Sequence, residues 1–359
     1  MNLPNHGANP LRLYRQAGIT PPESWLDFSE NVHPFGPPTF IEENWDSFFQ
    51  LLGSYPDPDA EPFRAAAAKF HGVEADSLAA GNGAAEIFTW LAKRYRGKRV
   101  ALVEPAFSEY RQTLEAENAF IEEIRLEAGN GWRLDFHAIE TAITECSALY
   151  ICNPHNPTGL LLNTDELKKI AEICLQSDCE LVLDEAFIDF VSEAASFIPY
   201  LAQFPHVLIV RSMTKMYAIA GLRLGYVMAA PTIIKELTKG AAHWNVNALS
   251  ASIGASCFGE KDYRGRIIQS AIIERQEMQS FLKEQHCRFT DSAANFLSFK
   301  LPKGKDQDLF FQAMLEKGIV LRHTYSFRGM DGEWFRIGMK SSSSMEKLRE
   351  EITLWLEDN

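Results

Sequence analysis

The middle of the chain alternates short apolar runs with longer stretches of helical spacing. Each apolar run is continuous rather than alternating, which is typical of strands buried on both faces of a sheet. Five such runs separated by amphipathic helices indicate an open, largely parallel sheet, and therefore an α/β fold. The runs are Val100 to Val103, Leu149 to Cys152, Leu181 to Leu183, Val207 to Val210 and Leu224 to Met228.

The predicted helices before and between these runs have local signals of their own. Phe63, Ala67 and Phe70 recur at helical spacing, and a second helix is predicted to begin after Gly81-Asn82-Gly83. Another carries an apolar face that begins at Leu167, behind a capping box formed by Asn163 and Glu166.

From about residue 241 the pattern changes to long helical stretches followed by isolated strands. Helices are predicted at 248–258 and 262–285, and strands at Phe296 to Phe299, Ile319 to Arg322 and Trp334 to Ile337. This composition fits a smaller α+β domain. We therefore predict an N-terminal arm at 1–40 that packs at the active site with the small domain, a large domain at 41–240, and a small C-terminal domain at 241–359.

Polar or aromatic side chains follow four of the apolar runs. Phe107 comes after the first, Asn156 after the second, Asp184 ends the third, and Ser212 and Lys215 follow the fourth. Ligands of open α/β sheets bind at the carboxyl ends of the strands. One active site at this edge is the prediction.

Lys215 and Arg223 suggest the chemistry of that site. A partly desolvated lysine is a nucleophile toward carbonyls and a candidate Schiff-base former, and an arginine eight residues later suits a phosphate. Capture of a carbonyl beside capture of a phosphate points to pyridoxal phosphate, PLP. A surface lysine and a salt-bridging arginine are the alternative.

Two loops offer further ligand contacts. Gly81-Asn82-Gly83 opens a helix, whose free N–H groups can hold a phosphate, although Gly129-Asn130-Gly131 repeats the triplet in what is more simply a turn. Asn153-Pro154-His155-Asn156-Pro157 follows a strand and can aim the Asn156 amide at a ligand oxygen, unless that amide only caps backbone.

For three positions that we expect to be buried, the sequence allows two partners: a bound ligand or another residue of the chain. Asp184 needs a cation, which is either a protonated pyridine nitrogen or an arginine, and Glu185 is its neighbour or its alternative. Arg336 lies in the apolar segment Trp334 to Ile337 and needs an anion, either a substrate carboxylate or an internal acid. Phe107 stacks on a ligand ring or belongs to the core.

Composition narrows the possible partners. The 359 residues carry a formal net charge of -13, which argues against a nucleic-acid partner. The six cysteines show no C-x-x-C pair and indicate reduced, buried thiols, and no segment suggests a leader or a membrane span. We expect a cytoplasmic protein that uses no metal.

Taken together, these segments resemble the fold-type-I PLP enzymes of the class I/II aminotransferase superfamily over nearly the full chain. Within that superfamily they resemble the threonine-phosphate decarboxylases more than the histidinol-phosphate aminotransferases, to which those decarboxylases are themselves similar. The stretches that carry the resemblance are N-H-G-A-N (5–9), L-D-F-S-E-N-V-H-P-F-G-P-P (26–38), S-Y-P-D-P (54–58), G-N-G-A-A-E (81–86), C-N-P-H-N-P-T-G (152–159), L-D-E-A-F-I-D-F (183–190), R-S-M-T-K-M-Y-A-I-A-G-L-R-L-G-Y (211–226) and W-N-V-N-A-L (244–249).

The resemblance implies roles for individual residues. Lys215 would bind the PLP aldehyde, Asp184 the pyridinium and Asn156 the phenolic oxygen, while Phe107 would stack on the ring. In a homodimer, Tyr55 would reach the cofactor phosphate of the other subunit. The other implied cofactor contacts are Gly83, Ala84, Ser212, Thr214 and Arg223, and the implied substrate contacts are Arg336 for the carboxylate and His6, Asn31 and Arg322 for a distal phosphate.

The implied reaction is decarboxylation of L-threonine O-3-phosphate in cobalamin biosynthesis. Transamination of histidinol phosphate or a similar phosphorylated amine with 2-oxoglutarate is the alternative. Phe187 stands where many aminotransferases have tyrosine, and Ala8, Glu30 and His33 depart from the decarboxylase arm. These departures bear on the identity of the substrate rather than on the use of PLP.

Overall fold

A computed structural model describes residues 3–359 of the protein. The strands are β1 (Leu26–Asp27), β2 (Leu78–Asn82), β3 (Arg99–Glu104), β4 (Phe120–Arg125), β5 (Ala148–Cys152), β6 (Glu180–Asp184), β7 (Val207–Ser212), β8 (Leu224–Met228), β9 (Arg288–Phe289), β10 (Phe296–Lys300), β11 (Ile319–Val320), β12 (Arg322–His323) and β13 (Phe335–Gly338). The α-helices are α1 (Pro10–Ala17), α2 (Phe40–Glu43), α3 (Trp45–Gln50), α4 (Phe63–His71), α5 (Ala84–Arg94), α6 (Ser108–Ala116), α7 (Phe136–Ala142), α8 (Thr164–Gln176), α9 (Pro231–Leu237), α10 (Ala248–Cys257), α11 (Lys261–Glu284), α12 (Gln307–Glu316) and α13 (Ser342–Asp358).

Seven strands form one sheet in the order β2-β8-β7-β6-β5-β3-β4. The five strands from β7 to β4 run parallel, whereas β8 runs antiparallel to both of its neighbours. The predicted largely parallel sheet is therefore confirmed. Two of its strands, β2 and β4, were missing from the prediction. The first, Leu78–Asn82, consists mostly of small residues, and the second, Phe120–Arg125, carries three charged residues.

Side chains of each central strand enter two separate cores. In β5, Leu149 and Ile151 pack into the core on one face, and Ala148 and Tyr150 pack into the core on the other. Every residue of β5 and β7 is buried. Double-sided burial explains why these strands are continuously apolar in sequence.

The C-terminal part builds a four-stranded sheet in the order β12-β13-β10-β9. A third core lies here and includes Leu13 and Tyr14 of α1, so the start of the chain packs with its end. The single strand predicted at Ile319 to Arg322 is wrong. Ile319–Val320 pairs with Leu26–Asp27 of the arm, and Arg322–His323 pairs with β13, because the chain changes partner at Leu321.

The start of α8 is fixed by its local signal, as predicted. The Asn163 side chain accepts from the backbone N–H groups of Asp165 and Glu166, and the Glu166 carboxylate accepts from the Asn163 N–H, which forms the expected capping box. All six cysteines are buried free thiols. Across residues 3–359, no helix is both long enough and apolar enough to cross a membrane. The domain boundaries at 40 and 240 stay a prediction.

Candidate active site

A cavity of about 400 Å³ opens at the carboxyl ends of the central strands. It lies between the seven-stranded sheet, the four-stranded sheet and the N-terminal arm. Eleven of the predicted site residues line it: His6, Asn31, Ala84, Phe107, Asn156, Asp184, Thr214, Lys215, Arg223, Arg322 and Arg336.

The side chains at the cofactor end of this cavity come from the ends of four strands. Phe107 precedes α6 just after β3, and Asn156 lies in the loop that follows β5. Asp184 is the last residue of β6, and Lys215 follows β7 by three residues. Because β3, β5, β6 and β7 are parallel, these side chains meet at one sheet edge, as predicted from the strand ends.

An anion cradle forms at the N-terminus of α5. Gly83 has a φ of 76°, and a Cβ there would come within 2.7 Å of the Arg223 guanidinium. A Cβ on Gly225 would come within 2.5 Å of the Ala84 nitrogen. Only glycines permit this close approach, which leaves free N–H groups and one guanidinium around the same point. Gly83 itself supports the cradle from behind and does not line the cavity.

Ser212 also lies behind the cavity wall. Its hydroxyl accepts from Lys215 Nζ at 3.0 Å and is 2.9 Å from the Thr214 hydroxyl. The three side chains therefore form one hydrogen-bonded group, in which Ser212 positions the lysine.

Lys215 is held in an environment that favours its neutral amine. Burial lowers its pKa, and the nearby Asp184 carboxylate opposes that shift without cancelling it. Arg223 and Arg336 lower the pKa further. A lysine of this kind is suited to condense with an aldehyde.

Within residues 3–359, Asp184 has no arginine partner. Its Oδ1 accepts from the Ala186 N–H at 2.9 Å, and its Oδ2 accepts from the Tyr110 hydroxyl. Arg211, which lies on the neighbouring strand β7, pairs instead with Glu185, at 3.2 Å. The Asp184 carboxylate thus keeps its capacity for a cation in the cavity, while burial raises its pKa and its hydrogen bonds and Lys215 lower it.

Arg336 reaches the cavity from β13. One terminal nitrogen donates to Asn156 Oδ1 at 2.6 Å and the other donates to the Ser29 carbonyl at 2.9 Å. Because Asn156 Oδ1 faces the guanidinium, its Nδ2 is left to donate to a ligand oxygen. Burial lowers the pKa of Arg336 to about 10.

Arg322 lies directly opposite Arg336 on the neighbouring strand β12. It donates to the His323 carbonyl at 2.8 Å, to the Ser326 hydroxyl at 2.5 Å and to the Asn5 carbonyl. Burial, followed by the Arg336 charge, lowers its pKa to about 9. Among residues 3–359, neither guanidinium forms an ion pair with a carboxylate within 4.0 Å. The more distant Asp27 carboxylate raises the pKa of Arg336 and partly offsets the effect of burial.

The arm closes the distal side of the cavity. His6 is 3.8 Å from the Glu109 carboxylate, and its ring lies edge-on to Phe107 at 5.7 Å between centroids. Asn31 is buried, and its side-chain oxygen has no hydrogen-bond partner in the described part of the chain. Tyr55 lies outside its own cavity: it is 83% exposed and packs on Trp244.

Sequence reasoning missed several residues of the site. Tyr110 bonds to Asp184, Ser29 supplies the carbonyl that holds Arg336, and Glu30 and Glu109 line the cavity. Tyr110 follows Phe107 by three residues, about one helical turn, so this spacing was an available signal. The other three lacked any local signal.

The donor set fits PLP. The α5 cradle with Arg223 matches a phosphate, Asp184 matches a pyridinium, Asn156 Nδ2 matches a phenolic oxygen, and Lys215 matches the aldehyde. All four groups line one cavity of sufficient size.

Comparison with known proteins agrees with this chemistry. A profile of the family described as aminotransferase class I and II matches residues 23–352. A threonine-phosphate decarboxylase of Salmonella typhimurium is 31% identical over 356 residues, covering 96% of this chain and 94% of that protein.

Two solved structures share the fold. The histidinol-phosphate aminotransferase from Clostridium acetobutylicum superposes with a TM-score of 0.88 at 23% identity, over 93% of this chain and 100% of the other. The histidinol-phosphate aminotransferase from Sinorhizobium meliloti, in complex with pyridoxal-5'-phosphate, gives 0.86 at 20% identity, over 99% and 96%.

Proposed function

We propose, from the premise that this chain belongs to the class I and II aminotransferase family, that it decarboxylates L-threonine O-3-phosphate. The chain is a PLP-dependent enzyme of the fold-type-I class. The product would be (R)-1-amino-2-propanol O-2-phosphate, formed in the cytoplasm for cobalamin biosynthesis. The decarboxylase relative at 31% identity supports this choice of substrate.

The observation that carries the proposal is the pair of buried arginines. Arg322 and Arg336 face each other across two strands, and like charges placed directly opposite are destabilising without an anion between them. Since neither has an acidic partner in residues 3–359, the pair is suited to a substrate with two anionic groups. Threonine phosphate carries a carboxylate and a phosphate, whereas histidinol phosphate carries only the phosphate.

The carboxylate and the phosphate of the substrate would bind to different residues. Arg336 would bind the carboxylate, because it lies beside Asn156 and shares the cavity with Lys215. Arg322, His6 and Asn31 would bind the phosphate, because the arm and β12 meet at the distal side.

The reaction breaks the bond between Cα and the carboxylate carbon. PLP, when bound, supplies an electron sink for the pair that this bond leaves on Cα. CO2 departs and a proton is added to Cα, so that atoms and charge balance. Lys215 would deliver that proton, since its amine lines the cavity and burial lowers its pKa.

A substrate test separates the two candidate reactions. The purified enzyme with PLP is incubated with L-threonine O-3-phosphate and no oxo acid, and CO2 is measured. Release of CO2 with formation of the amino-alcohol phosphate is the expected result. Absence of CO2, together with amino-group transfer from histidinol phosphate to 2-oxoglutarate, would overturn the proposal in favour of the aminotransferase.

We also propose that two copies of the chain form the working enzyme. Trp45, Phe49, Leu52 and Tyr55 are 48 to 83% exposed and recur at helical spacing, and Trp244 packs on Tyr55. An exposed apolar stripe of this kind fits a self-association surface.

In such a dimer, Tyr55 would reach the phosphate cradle of the partner. The Tyr55→Ala variant should therefore bind PLP more weakly. Sedimentation of the wild-type protein as a monomer at micromolar concentration would refute the dimer.

A further inference from the structure

Tyr110 is buried one helical turn after Phe107, in α6. Its side chain is 2% exposed, and its hydroxyl donates to Oδ2 of Asp184. The other carboxylate oxygen takes the Ala186 N–H. Each oxygen of Asp184 therefore has one protein donor, and the two donors together set the orientation of the carboxylate.

The charge of Asp184 depends on few groups. Lys215 faces it from the loop after β7, Tyr110 from α6, and the Cys152 thiol from the end of β5. Burial raises the pKa of Cys152 far above its usual value, so this thiol stays neutral and donates to the Pro154 carbonyl. The neighbouring Arg211 is engaged by Glu185 and two further carboxylates.

Removal of the Tyr110 hydroxyl should change the pKa of Asp184 in a defined direction. Burial raises the pKa of Asp184, and the Tyr110 hydrogen bond lowers it by stabilising the ionised form. Without that bond the pKa of Asp184 rises, so as the pH falls the carboxylate becomes neutral earlier than in the wild-type protein. A neutral carboxyl no longer attracts a protonated pyridine.

We propose that Tyr110 is a positioning residue that keeps the Asp184 carboxylate ionised and aimed at the cofactor ring. This inference rests on the proposed role of Asp184. It adds a residue that touches neither cofactor nor substrate and acts through its hydrogen bond alone.

Tyr150 provides a matched control. Its ring lies 5.7 Å from the Tyr110 ring in the same core, and its hydroxyl is buried without a hydrogen-bond partner in residues 3–359. Tyr150→Phe removes the same atom from the same core without touching Asp184. It should leave cofactor binding unchanged.

The test measures the dissociation constant of PLP from the cofactor-free protein between pH 5.5 and pH 8.5. For Tyr110→Phe we expect binding about tenfold weaker near pH 6 and about equal to wild type near pH 8.5, as loss of a hydrogen bond to a charged group implies. Tyr150→Phe should follow wild type throughout. A Tyr110→Phe curve that coincides with that of Tyr150→Phe, or one displaced equally at every pH, would overturn the inference.

Two further variants keep the outcomes distinct. Asp184→Asn should bind PLP weakly across the whole pH range; if it binds like wild type, the assignment of Asp184 itself fails, which is a different failure. Thermal unfolding of each cofactor-free variant checks the fold. If Tyr110→Phe does not fold, Tyr110→His replaces it, because its ring N–H can still donate to Asp184. At low pH its dissociation constant for PLP should lie closer to that of wild type than to that of Asp184→Asn. A value closer to that of Asp184→Asn would count against the inference.

Discussion

The cofactor end and the substrate end of the cavity are fixed in different ways. Asn156, Asp184 and Lys215 follow neighbouring parallel strands, so the backbone of one sheet sets their separation. Arg322 and Arg336 come from a second sheet, and their contacts to the arm join residues more than 300 positions apart along the chain.

The supports behind the two ends differ as well. Behind the cofactor end, Arg211 is buried with Glu185, Asp189 and Glu193 at 2.7 to 3.2 Å, next to Ser212 and Asp184. Behind the substrate end, the arginines are held by backbone carbonyls and hydroxyls. Changes at the first end should therefore damage chemistry and folding, and changes at the second should mainly damage affinity for substrate.

The largest effect is expected from Lys215→Ala. Proton transfer by a positioned group alone contributes about 10² to 10⁴ in rate, so turnover should fall at least about a hundredfold. Borohydride reduction of the PLP-loaded variant should no longer label this position. Lys239→Ala, at an exposed lysine, is the control, and labelling that persists in Lys215→Ala would contradict the assignment.

Arg211→Met tests the buried support. Removing the cation leaves Glu185 and Asp189 buried without compensation, which should lower the free energy of unfolding by about 3–5 kcal/mol. The urea midpoint measures the loss. Arg99→Met removes an exposed pair, 3.6 Å from Glu145, and should cost less than about 1 kcal/mol. Equal losses in the two variants would show that the cluster does not stabilise the strand ends.

Arg336→Lys tests the substrate end. The substitution keeps the charge but loses the fork that joins Asn156, the Ser29 carbonyl and the substrate carboxylate. The KM for threonine phosphate should rise roughly 10- to 100-fold, as for hydrogen bonds to charged groups. The dissociation constant of PLP, measured on the same variant, should change little, and a parallel loss of both affinities would count against the carboxylate role.

The smallest effect is expected at Arg328, in the loop between β12 and β13. It pairs with Glu123 of β4 at 2.6 Å, and the neighbouring Ser326 and Phe327 contact Arg322. Arg328→Gln should raise KM about two- to fivefold with little change in kcat, because exposed ion pairs are weak.

A matched variant controls for the shared partner. Arg125 also pairs with Glu123, at 2.8 Å, but lies in β4 itself. Arg125→Gln should leave KM unchanged, since it bridges no two sheets. Equal effects of the two substitutions would show that the contact between the sheets does not position Arg322.

Much of the cofactor end was predictable from the chain. A continuous apolar run followed by a polar residue places that residue at a sheet edge, which is how Asp184 and Lys215 were identified. The arm was harder: its residues lack periodicity, and its place depends on pairing between Leu26–Asp27 and Ile319–Val320. The roles given to His6, Asn31 and Tyr55 stay predictions.

The amino-acid sequence by itself determined the alternation of the central strands with helices and the identity of the lysine and aspartate at the sheet edge, because periodicity and strand ends are local properties. Only the tertiary structure decided which partner each buried charge takes. Arg211 forms an ion pair with Glu185, Asp184 accepts a hydrogen bond from Tyr110, and Arg322 lies opposite Arg336. These choices depend on distances between residues far apart along the chain, and no local pattern contains them.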